Sequence, residues 1–370
     1  MKVKEVAILG AGNGGITAAA DLTSRGFSVR LYEKHEFSKN LEGIKAKGGI
    51  KLKKVNSTGD DRESFQKIAM VTSDIQEAIS GADVVMLTVP GFAIESLAEV
   101  AAPVIAPHQY ILINGASSMG PVRFVNKARE MGVTTEFMIA ELNSLTYATR
   151  ANIPEAEVEL SLEVGHLLLS AYPASNTEKM LEVCSQLYGC FVAASSLWEV
   201  LLANGNPEAH PAGTMLSAGR IDFSNGEFWM YKEGITEHTV RVVIAAQNER
   251  IALGKALGFH LDTAAVAREK RGYFSNSKDP LDKLFNESEV FLKIKGPTSL
   301  TSRYLTEDIP LGLVLWSDLG KAIGVPTPVI DSLITIGETL LDKDYRNTGL
   351  TLEKLGFGGF DKEQLLAAVK

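Results

Sequence analysis

The segment "VAILGAGNGGITAAADLTSRG", residues Val6–Gly26, restricts the fold of this chain more than any other segment. An apolar run that predicts a buried strand leads into a glycine-rich turn, and small and apolar residues that predict a helix follow. Gly10, Gly12 and Gly15 have the spacing G-x-G-x-x-G. In this pattern the glycines permit a tight turn, close approach of a pyrophosphate and close packing of helix on strand. The segment therefore predicts a dinucleotide-binding βαβ unit, with the pyrophosphate at the helix N-terminus.

The residues expected to bind this cofactor begin with the turn itself, which consists of Gly10, Ala11, Gly12, Asn13, Gly14 and Gly15. Glu33 closes the next predicted strand, Ser28–Glu33, and is expected to accept hydrogen bonds from a ribose. A carboxylate at this position repels a 2′-phosphate, which favours NAD. NADP remains an alternative because a cluster of positive charges follows Glu33. We interpret this cluster instead as a solvated loop and an edge strand; it consists of Lys34, Lys45, Lys47, Lys51, Lys53 and Lys54.

Three further strands are predicted in the first half of the chain, at Asp83–Pro90, Tyr110–Gly115 and Glu136–Leu142. Their apolar runs are continuous rather than alternating, which is typical of strands buried on both faces of a parallel sheet. Strands that alternate with helices indicate a doubly wound α/β domain of the Rossmann type.

Ligands of such sheets bind beyond the carboxyl ends of the strands. Val89, Pro90 and Asn114 follow two of the predicted strands and are therefore expected to bind the cofactor. Glu141 ends a further strand, and we expect it to face the nicotinamide region and bind substrate. The alternative is a loop carboxylate without a function.

The second half of the chain has a different pattern, in which strand-like runs are scarce and long helical patterns prevail. Clear examples are Gly234–Gly258 and Pro326–Tyr345, the latter opening with prolines that a helix tolerates only at its start. The sequence thus predicts an NAD(P)-binding Rossmann domain over residues 1–194 and an all-helical substrate and catalytic domain over residues 195–370.

Composition excludes several classes of protein. The 370 residues carry a net charge of −8, with a sequence pI of about 5.4, which argues against a nucleic-acid binder. No apolar run approaches the ~20 residues that a membrane helix needs, and no signal peptide precedes the first strand. We therefore expect a cytoplasmic enzyme with no membrane partner. The two cysteines, Cys184 and Cys190, match no metal or redox motif, and no metal site is expected.

The stretch "NGNPEAHPAG", Asn204–Gly213, reads as a loop that runs into a helix and presents His210. Imidazole suits proton transfer because its ordinary pKa lies near neutral pH. Arg303 is suited to hold a substrate carboxylate, and Asp308 to orient a histidine, although alone these two residues would suggest a surface ion pair. Asn206 is a candidate for a substrate amide contact, whereas Glu208 has no evident role.

Several blocks together carry a resemblance to a known family: "GAGNGG", "NGNPEAHP", "YKEGIT", "SRYLTEDIPLGL" and "GVPTPVIDSLITIGETLLDKDYRNTGLTLEKLGF". The chain resembles the octopine/nopaline (opine) dehydrogenases, and in particular the bacterial N-(1-D-carboxyethyl)-L-norvaline dehydrogenase branch. The resemblance implies a Rossmann domain followed by a helical domain like the C-terminal domain of 6-phosphogluconate dehydrogenase, with the active site between them.

The same resemblance implies that His210 and Asp308 are catalytic and that Arg303 binds the substrate carboxylate. The implied reaction condenses an α-keto acid such as pyruvate with the amino group of an amino acid and reduces the imine with NAD(P)H. The substrates would then be small molecules, and a homodimer is also considered.

Two other functions stay open at this stage. A keto-acid reductase of the ketopantoate reductase type would form a 2-hydroxy acid and would rely on a lysine of the helical domain, for which Lys255 is the candidate. A non-catalytic NAD-binding sensor would use the same cofactor site without turnover.

Overall fold

The computed structural model describes residues 1–55 and 61–370. This described part divides into two compact units, Met1–Val200 and Leu201–Lys370. The division falls within the helix Leu197–Leu202, slightly after the boundary expected at residue 194.

In the described part of the first unit, the strands are β1 (Glu5–Leu9), β2 (Ser28–Tyr32), β3 (Ile50–Lys54), β4 (Arg62–Gln66), β5 (Met70–Thr72), β6 (Val84–Leu87), β7 (Tyr110–Ile113), β8 (Met138–Leu142), β9 (Tyr147–Asn152), β10 (Glu157–Glu163), β11 (Leu167–Tyr172) and β12 (Phe191–Ala193). The helices that accompany them are α1 (Asn13–Ser24), α2 (Lys39–Lys47), α3 (Ile75–Ile79), α4 (Ile94–Ala101), α5 (Gly120–Glu130), α6 (Thr177–Cys184) and α7 (Leu197–Leu202). Short 3-10 turns cover His35–Phe37, Gly91–Ala93 and Ala174–Asn176.

The main sheet of this unit has the strand order β12–β11–β8–β7–β6–β1–β2–β5 in the described residues. All neighbouring pairs are parallel except β11 with β8. Each residue of β6 is buried, as the continuous apolar run predicts. Helices cover the sheet because parallel strands need crossover connections. The doubly wound α/β expectation is confirmed.

A second sheet was not anticipated from the sequence. Its strand order over the described residues is β4–β3–β10–β9. Lys51, Lys53 and Lys54 lie in β3, which is flanked by β4 and β10 and is therefore not an edge strand, contrary to our interpretation. Lys45 and Lys47 lie in α2 rather than in a loop. Each of the three β3 lysines forms an ion pair with a carboxylate, which the sequence pattern did not reveal.

The second unit, whose residues 201–370 are all described by the structure, consists of helices joined by turns and loops and has no strand. Its helices are α8 (Asn206–Leu216), α9 (Ala218–Ser224), α10 (Glu237–Leu257), α11 (Ala264–Lys270), α12 (Leu281–Glu287), α13 (Glu289–Leu292), α14 (Arg303–Thr306), α15 (Val314–Ile323), α16 (Pro328–Leu341), α17 (Tyr345–Thr348) and α18 (Lys362–Ala367). Two π-helical turns, Met230–Gly234 and Asp308–Leu313, interrupt this pattern.

The longest helix, α10, shows why the sequence pattern is reliable here. The Thr236 side chain caps its first turn by accepting a hydrogen bond from the Thr239 N–H, and Gly258 ends it with a φ of 91°. These bounds agree closely with the predicted helix Gly234–Gly258. Within the described residues, no helix combines the length and the apolar character needed to cross a membrane.

Candidate functional site

His210 lies within helix α8, not in the loop that the sequence suggested. The helix begins at Asn206, and Pro207 occupies its first turn, where the missing N–H of proline has no intrahelical partner to lose. Pro211 follows His210 in the interior of the helix. The two prolines therefore did not mark a loop: Pro207 stands where a helix tolerates proline, and the helix continues through Pro211 despite the backbone hydrogen bond that a proline removes there.

Each of the two ring nitrogens of His210 contacts a different residue. Nδ1 lies 2.8 Å from Asp308 Oδ2, at the first residue of a π-helical turn, and Nε2 lies 3.1 Å from the hydroxyl of Tyr231, in the other π-helical turn. The ring of Tyr304 stacks on the imidazole, with centroids 4.1 Å apart and planes 19° apart. The imidazole is thus fixed at both nitrogens and on one face.

The electrostatics of this group follow from its burial. Burial raises the pKa of the Asp308 carboxyl above its usual range, while the charge and hydrogen bond of His210 act in the opposite direction. Asp308 as a carboxylate accepts the Nδ1–H of the ring, so that Nε2 is the nitrogen left for proton exchange. This is the arrangement in which a carboxylate orients an imidazole and stabilises its protonated form.

Arg303 begins α14, five residues before Asp308. Its Nε donates to Glu307 Oε2 at 2.5 Å, and its side chain is 62% exposed. Burial acts to lower the pKa of Arg303, but the neighbouring Glu307 carboxylate outweighs this and raises it. The Nε contact with Glu307 orients the guanidinium.

The two asparagines before the histidine differ in role. Asn204 is buried, and its side-chain oxygen accepts the Asn206 N–H at the start of α8. Asn206 is half-buried at the same helix end, four residues before His210. Its position on the helix suits the predicted contact with substrate.

Glu208 is fully buried and forms an ion pair that the sequence did not reveal. Its Oε2 accepts from Arg250 Nε at 2.6 Å, whereas Oε1 has no hydrogen-bond partner among the described residues. The turn between α7 and α8 is held by further arginine contacts to its carbonyl oxygens: Arg250 to Leu202, Arg271 to Ala203 and Arg268 to Gly205. Glu208 and these buried arginines fix the start of the helix that carries His210.

The glycine-rich turn of the first unit has the geometry that a dinucleotide requires. A Cβ on Gly15 would lie 1.7 Å from the Gly10 carbonyl oxygen, and Gly10 itself has a φ of 107°. By contrast, a Cβ on Gly12 would meet no atom within 4 Å. Gly12 caps α1 and has no side chain that could accept a hydrogen bond from the first N–H groups of the helix. The turn therefore fits the pyrophosphate of a dinucleotide.

Glu33 and Asn13 complete the turn from either side. Glu33 Oε2 accepts the Ala11 N–H at 2.9 Å, and Oε1 accepts the Lys34 N–H at 3.0 Å, which fixes the carboxylate at the end of β2. The Asn13 side chain binds the backbone of β9 through Thr149 O and Ala151 N. The side chain of Asn13 is therefore structural, and only its backbone remains for the cofactor.

The predicted residues at the strand ends have different environments. Val89 and Pro90 are half-buried after β6, and the Val89 side chain lies beside Gly10. Asn114 is buried, and its amide is engaged with Thr146, donating to Oγ1 and accepting the backbone N–H. The amide therefore serves an internal contact, and the cofactor-binding role of Asn114 stays a prediction.

The expected substrate-binding role of Glu141 is corrected. Its carboxylate is fully buried and accepts the N–H groups of Ser118 and Gly120 at the start of α5. Burial raises the pKa of Glu141 to about 7, although these hydrogen bonds and Arg123 oppose the rise. A carboxylate with no exposed surface cannot touch a substrate, and the apolar run before it gave no sign of the helix terminus that it caps.

The cysteines and histidines that the structure describes form no candidate metal site. Among residues 1–55 and 61–370, no group of three or more His, Cys, Asp or Glu side chains has the geometry of a metal site. Cys184 and Cys190 are free thiols, and burial raises the pKa of Cys184 to about 12. Lys255, the lysine considered for a keto-acid reductase, is exposed in the last turn of α10.

Two family matches cover much of the chain. Residues 193–341 match the family described as NAD/NADP octopine/nopaline dehydrogenase, alpha-helical domain. Residues 5–118 match the N-terminus of NAD-dependent glycerol-3-phosphate dehydrogenase.

The similar proteins match nearly the whole length of this chain. An opine dehydrogenase of Arthrobacter sp. (strain 1C) is 31% identical over 99% of both chains. The solved structure of an octopine dehydrogenase with NADH and L-arginine has a TM-score of 0.75 at 23% identity and covers 99% of this chain and 98% of its own. A structure with NADH and pyruvate has a TM-score of 0.73 at 22% identity, with the same coverage. At these identities the structures support the fold.

Gly12 offers a direct test of the dinucleotide turn. Gly12→Ala has room for its methyl group and an extended backbone that alanine adopts, so we expect the free energy of unfolding to fall by at most ~1 kcal/mol. The same methyl would occupy the approach of the pyrophosphate, and we expect the Kd for NADH to rise about 10-fold or more. Fluorescence titration and thermal unfolding provide the two measurements.

Gly219→Ala is the matched control, because a Cβ there also meets no atom within 4 Å and the residue lies in α9 of the other unit. It should leave NADH binding unchanged. An unchanged Kd in Gly12→Ala would contradict the assignment of the turn.

Proposed function

The chain belongs to the opine dehydrogenase family, a family of NAD(P)-dependent oxidoreductases, and we propose that His210, Asp308 and Arg303 carry out its chemistry. The reaction is the reductive condensation of an α-keto acid with the amino group of an amino acid. The observation that supports these roles best is the imidazole of His210, which Asp308 holds at Nδ1 within a largely buried group.

In the proposed mechanism, a nicotinamide cofactor held at the glycine-rich turn and Glu33 would supply the hydride that reduces the imine. His210 exchanges the proton through Nε2, because Nδ1 is committed to Asp308. Asp308 keeps the ring in one tautomer and stabilises the imidazolium when it forms. Proton transfer by a placed side chain typically contributes ~10²–10⁴-fold to the rate.

The substrates are proposed from chemistry and from the relatives. An octopine dehydrogenase has been solved with pyruvate and with L-arginine, and we propose pyruvate as the keto acid for this chain. Arg303 would hold the carboxylate of the keto acid, since a guanidinium offers two parallel hydrogen bonds. Asn206, at the start of α8, would contact the substrate from the same helix as His210.

Glu33 supports a preference for NAD. Its carboxylate is fixed by two backbone N–H groups at the end of β2, where it would face a ribose. A fixed negative charge there repels the 2′-phosphate of NADP. A cytoplasmic location and a homodimer remain predictions of the sequence.

Dependence on an amine tests the proposed function. With pyruvate alone, NADH oxidation should be slow, and an amino acid from a panel of L-amino acids should accelerate it, because the imine rather than the ketone is reduced. The same assay with NADPH should show a lower kcat/KM. Fast oxidation without amine, yielding a 2-hydroxy acid, would contradict the proposal in favour of a keto-acid reductase, and no turnover across the panel would favour an NAD-binding sensor.

Arg303→Ala tests the carboxylate clamp. A charge-assisted pair is worth ~1.5–3 kcal/mol, so the KM for the keto acid should rise ~10–100-fold. Arg241→Ala is the matched control, since Arg241 forms an exposed pair with Glu237 at the same i,i+4 spacing in the same unit. If both variants keep the KM of the unaltered protein, Arg303 is only a surface ion pair.

A further inference from the structure

Tyr231, whose hydroxyl contacts Nε2 of His210, has no role in the mechanism proposed above. Because Asp308 occupies Nδ1, the proton that reaches a substrate must leave or enter through Nε2. Yet in the described structure Nε2 lies 3.1 Å from the hydroxyl of Tyr231. The Tyr231 hydroxyl therefore contacts the atom that exchanges the proton.

Tyr231 is held firmly by its surroundings. Its ring stacks on Phe291, with centroids 4.2 Å apart, and packs on Phe285 at 5.6 Å. The side chain of Asn286 donates to its carbonyl oxygen at 2.6 Å, and only 5% of the residue is exposed. Its hydroxyl is therefore presented to His210 in a fixed position rather than swinging in solvent.

A hydroxyl can serve both protonation states of Nε2, because its single oxygen both donates and accepts. When the imidazole is neutral, Tyr231 donates to the lone pair of Nε2. When the ring is an imidazolium, Tyr231 accepts from Nε2–H. A carbonyl oxygen or an ammonium group would suit only one of the two states.

We propose that Tyr231 is a positioning residue for proton transfer, whose hydroxyl holds Nε2 of His210, in either protonation state, before the substrate reaches it and after the product leaves. The substrate takes the place of the hydroxyl at Nε2 while the proton passes from Nε2–H to it, and the lone pair that remains on Nε2 then accepts the hydroxyl proton of Tyr231. No covalent bond of Tyr231 is broken, and the ring of Tyr304 stays stacked on the imidazole. This inference rests on the proposed role of His210.

Tyr231→Phe tests the proposal because it keeps the aromatic stack and removes only the hydroxyl. We expect kcat to fall about 10-fold, which corresponds to ~1.4 kcal/mol, while both substrate KM values stay within about threefold. Tyr273→Phe is the matched control, because Tyr273 stacks on the same Phe291, with centroids 5.0 Å apart, but His210 bonds to Tyr231 instead. A kcat in Tyr231→Phe within about threefold of the unaltered enzyme would overturn the proposal.

A second readout needs no turnover. In ¹⁵N-histidine-labelled protein, with His210→Asn used to assign the signal, the Nε2 resonance of neutral His210 should lie at a hydrogen-bonded position. It should move downfield in Tyr231→Phe but not in Tyr273→Phe. If it does not move, the proposal fails whatever the kinetics show. If it moves although the unaltered protein turns over no keto acid, the proposed function fails while the Tyr231 contact stands.

Discussion

The hydrogen bond between His210 and Asp308 is the interaction on which the proposed chemistry depends. It joins residues 98 positions apart and holds a largely buried imidazole in one tautomer. Burial disfavours the charged carboxylate of Asp308, and the hydrogen bond from His210 acts against this effect. The pair is therefore stable only while the imidazole stays close enough to donate its Nδ1–H to the carboxylate. The rest of the helical unit serves to keep the two residues at this distance.

The start of helix α8 shows how that distance is maintained. Glu208, two residues before His210, is buried against Arg250, and the buried arginines of the unit grip the carbonyl oxygens of the turn before the helix. Breaking a buried ion pair by removing one partner is strongly destabilising, at about 3–5 kcal/mol. The network therefore orients the helix, whereas Asp308, Tyr231 and Tyr304 orient the ring.

The sequence predicted the parts of the molecule that local patterns encode. The glycine spacing from Gly10 to Gly15, the apolar strands and the capped helix α10 each carry a signal within a few residues, and the structure agrees with them. The residue types at 210, 303 and 308 suggested a proton donor, a carboxylate clamp and an orienting group. The structure places His210 and Asp308 in contact, although their catalytic roles stay a prediction.

The features that the sequence did not reveal depend on contacts between distant segments. Glu208 meets Arg250 across 42 positions, and Tyr231 meets His210 across 21, and neither spacing follows a helical or strand period. Glu141 looked like a strand-end ligand because nothing local shows that its carboxylate turns inward onto α5. The block "YKEGIT" did contain Tyr231, but its value lay in the resemblance and not in any chemistry of its own.

The kcat of Asp308→Asn measures the central claim most directly. An amide keeps the shape of Asp308 but cannot stabilise an imidazolium, so kcat should fall ~100-fold or more while the Kd for NADH is unchanged. Asp222→Asn, an exposed carboxylate on α9, should keep full activity. A kcat within about threefold of the unaltered enzyme in Asp308→Asn would contradict the account.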